Sequence, residues 1–118
     1  MSTGSPPRQL AEAYFAAWTD GRLDDLRRIL APDVTFRGAL GTADGVDECI
    51  AGLTGMSRIT SSIDVRVRVA DDVDVITWFD LVTNDGARIP VANWQHVAAG
   101  RIATINVTFD PRPIVDAR

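Results

Sequence analysis

The sequence predicts an α+β fold: three N-terminal helices packed on one face of a curved, mostly antiparallel β-sheet, a cone with a pocket inside. Three observations carry that expectation. Apolar residues recur at helical spacing up to about Met56, and from Ile59 onward they alternate with polar residues at period two. Turn signals then cut the second half into four long strands. No repeat, low-complexity stretch or linker interrupts the 118 residues, which read as one domain over 1–118.

The elements follow in order. Ser5 can cap a first helix with Pro6 at its first helical position, and Leu10, Ala13, Tyr14, Ala17 and Trp18 share one face until Asp20 and Gly21 end it. A shorter second helix carries Leu23, Leu26, Ile29 and Leu30 and stops at Ala31 and Pro32. A brief strand around Val34 and Phe36 leads to turns at Gly38 and Gly41. Asp44 is placed to cap a third helix, with Asp47 three residues on and Val46, Cys49, Ile50 and Leu53 turned inward. In the first long strand Ile63, Val65, Val67 and Val69 alternate with Asp64, Arg66 and Arg68, and both arginines read as its solvated face. Turns at Asp71-Asp72, Asn84-Asp85-Gly86 and Ala99-Gly100 then deliver the strands within 75–82, 88–97 and 101–110.

Composition narrows the classes of partner. A net charge of -4 and a pI near 4.7 argue against nucleic acid and against anionic membrane surfaces, both of which reward basic patches. With 46% hydrophobic and 24% charged residues the chain has the make-up of an ordinary globular protein, and its charge fits a neutral or modestly charged organic ligand better; with the mostly apolar pocket expected inside the cone, a hydrophobic small-molecule ligand is the expected partner. The start MSTGSPP has neither a basic nor an apolar signal region, and no apolar run has the length of a membrane span, which points to the cytoplasm. Cys49 is the only cysteine, which excludes an intramolecular disulfide. One cysteine and one histidine, His96 at an outward parity, predict no metal site. Gly38, Gly41 and Gly45 have neither phosphate-loop nor dinucleotide spacing, so no cofactor is expected. The sequon at 106–108 falls in a strand and is set aside. All twelve basic residues are arginine, a bias read as genomic rather than functional.

Asp80 stands out as a lone acid in the apolar strand VITWFDLV (75–82), two residues after Trp78 and therefore on the same face. Buried beside an indole it would carry a raised pKa suited to proton transfer, and exposed it would be an ordinary surface acid. If Trp78 and Asp80 face the helices, hairpin pairing sets Val91, Asn93 and Gln95, then Ile105, Val107 and Phe109, beside them. The catalytic candidates are thus Asp80 as general acid or base, with Tyr14 and Asn93 donating to a carbonyl oxygen. Trp18, Phe36, Trp78, Val91, Gln95 and Val107 are the candidate substrate-binding wall. Taken singly, Tyr14 and Trp18 read better as core residues of an amphipathic helix and Asn93 as a satisfied core amide; their convergence with Asp80 on one expected cavity balances the two readings. The other face would hold Val75, Phe79, Leu81, Trp94 and Ile102, more apolar surface than a small monomer leaves in water, so a homodimer through the back of the sheet is expected.

The segments LAEAYFAAW (10–18), GRLDDL (21–26), LAPDVTF (30–36), the turn and helix over 41–53, and NVTFD (106–110) resemble the nuclear transport factor 2-like superfamily. The likeness is to its SnoaL-like branch, which contains polyketide cyclases, ketosteroid isomerases and limonene epoxide hydrolases. It covers nearly the whole chain and implies the cone-shaped fold. It also implies that Tyr14 falls where the isomerases carry a hydrogen-bonding tyrosine, and Asn93 where they carry a protonated aspartic acid. Their general-base aspartate falls near Gly38, which has no side chain. Compared with the epoxide hydrolases, Asp80 matches the strand aspartate that activates water, whereas Trp78 and Val107 stand where an arginine and a second aspartate belong. Val107 also stands at or near the last-strand aspartate of the cyclases. The resemblance therefore implies a cofactor-independent isomerase or cyclase type of enzyme, an epoxide hydrolase-like one, or a non-catalytic ligand-binding or dimerisation domain.

Overall fold

The computed structural model describes residues 6–116. Helix α1, Pro6–Thr19, buries Ala11, Tyr14, Phe15, Ala17 and Trp18 along one stripe. Gly21 ends it at φ +72°, the left-handed conformation glycine adopts without steric cost, while the Arg22 N–H reaches back to the Ala17 carbonyl at 2.8 Å. Ser5, the expected cap, lies outside the described residues.

The second expected helix is only a 3₁₀ turn, Leu23–Arg28, and Leu30 already opens strand β1, Leu30–Gly38. The reason is non-local: the Ile102 N–H bonds the Ile29 carbonyl at 2.8 Å and draws the chain into parallel pairing with the last strand. Strand β2, Gly41–Asp44, folds back on β1, so the two expected turns are the ends of a hairpin. Helix α2 runs Val46–Ile59. Gly45 at φ +90° occupies its N-cap, and Glu48 rather than Asp47 reaches back, accepting the Asp44 N–H at 2.9 Å.

Strands β3 (Thr60–Ala70), β4 (Asp74–Thr83), β5 (Arg88–Ala98) and β6 (Arg101–Thr108) are the expected antiparallel meander. The last turn is tight because Ala99 and Gly100 both take positive φ, 52° and 76°, as a two-residue hairpin with matching twist requires. A single turn, α3 (Arg112–Val115), closes the described chain. The six-stranded sheet has the order β2-β1-β6-β5-β4-β3 and is antiparallel except for β1 against β6. Its concave face and the two long helices enclose the core, the cone-like α+β arrangement expected from the sequence.

The parity of β4 is opposite to the expectation. Val75, Thr77, Phe79 and Leu81 are buried on the inner face, opposite Gln95, Asn93, Val91 and Ile89. Trp78 and Asp80 therefore lie on the outer face. Val75, Phe79, Leu81 and Ile102 are core rather than outer surface, and of the five residues assigned to the back of the sheet Trp94 alone is there. A register shift between Val65 and Val67 makes Arg66 an extra residue in β3. The bulge separates the two arginines: Arg66 meets Asp80, whereas Arg68 turns in, donating to the Thr77 hydroxyl at 2.9 Å and lying 5.2 Å from the centre of the Phe15 ring.

Candidate functional site

A cavity of about 540 Å³ opens between α1, α2, the β1–β2 hairpin and the inner faces of β4, β5 and β6. Apolar side chains make most of its wall. Trp18 enters from α1, Phe36 from β1, and Val91 and Val107 from the sheet. Along α2 the lining includes Ala51, Gly52 and Gly55, whose small size leaves the space open. The Phe36 ring stands where a side chain at position 38 would go, since a Cβ on Gly38 would come within 2.7 Å of it.

Four buried groups with polar atoms line this cavity: Tyr14, Trp18, Asn93 and Cys49. The helical stripe of α1 turns Tyr14 inward, and the alternation of β5 presents Asn93 from the opposite wall, between Thr77 and Val107 of the flanking strands. Tyr14 is 1% and Asn93 3% exposed. Burial, reinforced by the nearby Cys49, pushes the Tyr14 hydroxyl well above its ordinary pKa, and the polar side chain of Asn93 counters part of that rise. Burial likewise pushes the Cys49 thiol up to about 11, with Glu48 and Asp44 adding to the effect. Both groups are neutral proton donors at physiological pH. The carboxylate on the lining is Glu48, an exposed residue tied to the Asp44 N–H. The Asn93 carbonyl oxygen is buried, and among the described residues no donor reaches it.

Asp80 has no part in this cavity. Its side chain, 8% exposed, lies on the opposite face of the sheet beneath two guanidiniums: Arg66 at 2.8 and 3.0 Å and Arg88 at 3.0 Å. Arg66 first and Arg88 second hold its carboxyl below the usual carboxylate range, the reverse of the rise expected for an acid beside an indole. Trp78 is a correction of the same kind, 47% exposed on the outer face rather than part of the binding wall. Gln95 has the expected inward parity but does not line the cavity; it is fully buried, and among the described residues neither polar atom of its amide has a partner. Tyr14, Asn93, Trp18, Phe36, Val91 and Val107 do line the cavity together. Sequence reasoning missed Glu48, Leu53, Met56, Phe79, Leu81 and the hairpin as lining. The inward stripe of α2 carried a signal for Leu53, whereas Phe79 and Leu81 were assigned to the wrong face. His96 faces outward, its Nδ1 2.8 Å from the Asp74 carboxylate, which also accepts the Trp94 indole N–H at 2.9 Å. Among the described residues no cluster of three or more His, Cys, Asp or Glu could hold a metal, and no helix is long and apolar enough to cross a membrane.

Residues 11–105 match the model of the SnoaL-like domain. No curated protein matches the chain by sequence. A crystal structure of a protein from Kribbella flavida DSM 17836 is similar at TM-score 0.88 and 29% identity, over 99% of this chain and 95% of that one. A nuclear transport factor 2-like protein of unknown function from Cytophaga hutchinsonii gives TM-score 0.80 and 23% identity, over 98% of this chain and 99% of that one. A steroid delta-isomerase from Pseudomonas aeruginosa gives TM-score 0.80 and 17% identity, over 97% and 86%. The last two likenesses are of fold alone.

Proposed function

The chain belongs to the SnoaL-like domain family, within the nuclear transport factor 2-like superfamily, and from that premise we propose that it takes a hydrophobic small molecule into the cavity and holds the molecule's polar end against Tyr14 and Asn93. The observation that carries this reading is a mostly apolar cavity with two converging, deeply buried polar side chains. Ligand sites are built in that way: the apolar wall supplies affinity and a few placed polar groups supply orientation. A Tyr14 hydroxyl with no water competing for it would contribute about 1 kcal/mol to a ligand oxygen.

A second reading, an acid–base enzyme of the isomerase or cyclase type, is favoured by one feature. Tyr14 is kept protonated and buried, as a donor to a developing enolate oxygen must be. Its base would have to be Glu48, since Tyr14 and Cys49 both retain their protons and Asp80 lies behind the sheet. An epoxide hydrolase-like reading loses its support with Asp80. We further propose that the outer face of the sheet meets a second copy of the chain.

Titration with 2-tetralone, a bicyclic ketone, tests both small-molecule readings. Saturable NMR shifts of the Asn93 side-chain amide and the Trp18 indole are expected, and silence at both signals up to the solubility limit would overturn the binding reading. Deuterium uptake at the carbons beside the ketone carbonyl, faster than in buffer and lost in Glu48→Gln, would establish the catalytic one. Binding without such uptake would leave a binding protein.

A further inference from the structure

We infer that two copies of the chain meet across their outer sheet faces with β4 of one antiparallel to β4 of the other, so that Asp74 of each copy reaches the Arg66 and Arg88 guanidiniums of its partner. This arrangement refines the proposed contact with a second copy and rests on it. The outer side of β4 reads Asp74, Ile76, Trp78 and Asp80 in order, an apolar middle between two acids whose surroundings differ. At one end the partly exposed Asp74 carboxylate holds the Trp94 indole N–H at 2.9 Å and the His96 Nδ1 at 2.8 Å, both on Oδ1. Its second oxygen has no side-chain partner among the described residues. Asp71 and Asp72, in the turn just before it, make that end of the face acidic. At the other end Asp80 lies buried underneath, and the face presents half-exposed Arg66 and Arg88 beside Asp64. Arg66 directs Nε and Nη2 at Asp80, and Arg88 directs Nη1 at Asp80 and Asp64. Among the described residues Arg66 Nη1 and Arg88 Nη2 have no partner, so both guanidiniums have N–H groups to offer a further carboxylate.

Homodimers are mostly two-fold symmetric, and a face-to-face pair has its axis in the plane of contact. With the axis along β4, each residue of the strand lies over itself in the partner, and Asp74 meets Asp74. With the axis across β4, between Ile76 and Trp78 at the middle of the patch, the strand direction reverses and each acidic end lies over the partner's guanidinium end. Only the second setting opposes unlike charges, and symmetry makes the pairing twice. The apolar side chains fit it as well: Trp78 comes over Ile76 of the other copy, and Trp94 over Ala92, a large side chain over a small one. Stacked sheets lie about 10 Å apart, a gap that an arginine and an aspartate span between them.

Sedimentation equilibrium at pH 8 in 20 and 200 mM NaCl tests the orientation. Unlike charges across the contact predict a dimer that weakens as salt screens them, and like charges one that tightens. Asp74→Asn keeps an oxygen for the Trp94 indole and removes the charge. It is expected to raise the dissociation constant about tenfold in 20 mM NaCl, since two symmetric pairs are lost, and to flatten the salt dependence. Cross-linking reads the position directly. In a Cys49→Ala, Asp74→Cys protein at a concentration where it is dimeric, a bismaleimide of about 8 Å span should fail to join the copies, because antiparallel β4 strands hold the two positions roughly 20 Å apart. A dimer that salt or Asp74→Asn leaves unchanged or tightens, or one cross-linked through position 74, overturns the antiparallel setting and leaves the back-to-back dimer standing. A parent chain that stays monomeric in both salts overturns both. Should either variant fail to fold, the salt dependence of the unaltered chain decides alone.

Discussion

Asp80 stays ionised because two guanidiniums stand over it, and that fixes how it contributes to stability. Its folded pKa is depressed by Arg66 and then Arg88. Its contribution is therefore fully present above the ordinary carboxylate range near pH 4 and is lost as pH falls through the lower folded value. Asp80→Asn should lower the thermal midpoint at pH 7, leaving Arg66 and Arg88 without their shared counter-ion. The gap to the unaltered protein should narrow steadily below pH 4. A gap independent of pH would contradict the ion-pair role. Nothing in the strand itself announces this, because VITWFDLV is apolar at both parities and alternation cannot choose between them. The deciding partners come from 14 residues upstream, at a bulge, and 8 downstream. Asn93, by contrast, was readable, since in β5 polar and small residues at 88, 90 and 92 mark the outer side. Cys49 gives a second test at this scale. With its thiol pushed up to about 11, its thiolate fraction at pH 8 is roughly a hundredfold below that of a thiol with an ordinary pKa of 9.0. Alkylation of the intact protein by iodoacetamide should be slow, and its rate should still be climbing tenfold per pH unit at pH 9.5. A plateau near pH 9 would mean that the thiol is not buried as described.

Among the elements, α2 gives up helix stability to leave room in the cavity. Gly52 and Gly55 sit inside a 14-residue helix, where each is about 0.5–1 kcal/mol less favourable than alanine. Neither has positive φ, and a Cβ at either position would meet nothing within 4 Å. Gly52→Ala and Gly55→Ala should each raise stability by roughly that amount, read from the urea midpoint. Gly52→Leu should keep the fold while weakening 2-tetralone binding, because the side chain fills lining space. A Gly52→Ala variant less stable than the parent would show that the glycine serves backbone geometry instead. The long helices and the four meander strands were legible because their signals are local: a 3.6-residue stripe, a period of two, and turn residues between them. The segment from 23 to 44 was not. Its 3₁₀ turn and the β1–β2 hairpin depend on β6, some 70 residues away, which pulls Leu30 into register with Ile102. Helical propensity in that stretch loses to sheet pairing.

At the scale of the whole molecule, the outer sheet face carries the feature a monomer has least use for. Val67 pairs with Trp78, Val69 with Ile76, and Ile76 with Trp94, so five apolar side chains, each between 45% and 55% exposed, form one continuous patch across β3, β4 and β5. Patches of this kind on small proteins mark interaction surfaces. Tryptophans at the centre, with the charged cluster of Arg66, Asp80, Arg88 and Asp64 beside them, have the composition of an interface core with a polar rim. The expectation of a back-to-back homodimer thus keeps its logic with a different set of residues, Ile76 and Trp78 replacing Val75, Phe79 and Leu81. Sedimentation equilibrium at micromolar concentration should give twice the chain mass of 12.8 kDa. Trp78→Arg, which places charge in the patch without touching the core, should shift the equilibrium towards the monomer by at least tenfold in dissociation constant. Because the cavity opens on the other side of the sheet, the same variant should bind 2-tetralone as well as the parent does. A monomeric parent would remove the second copy from this face, and a dimer indifferent to Trp78→Arg would place the contact elsewhere.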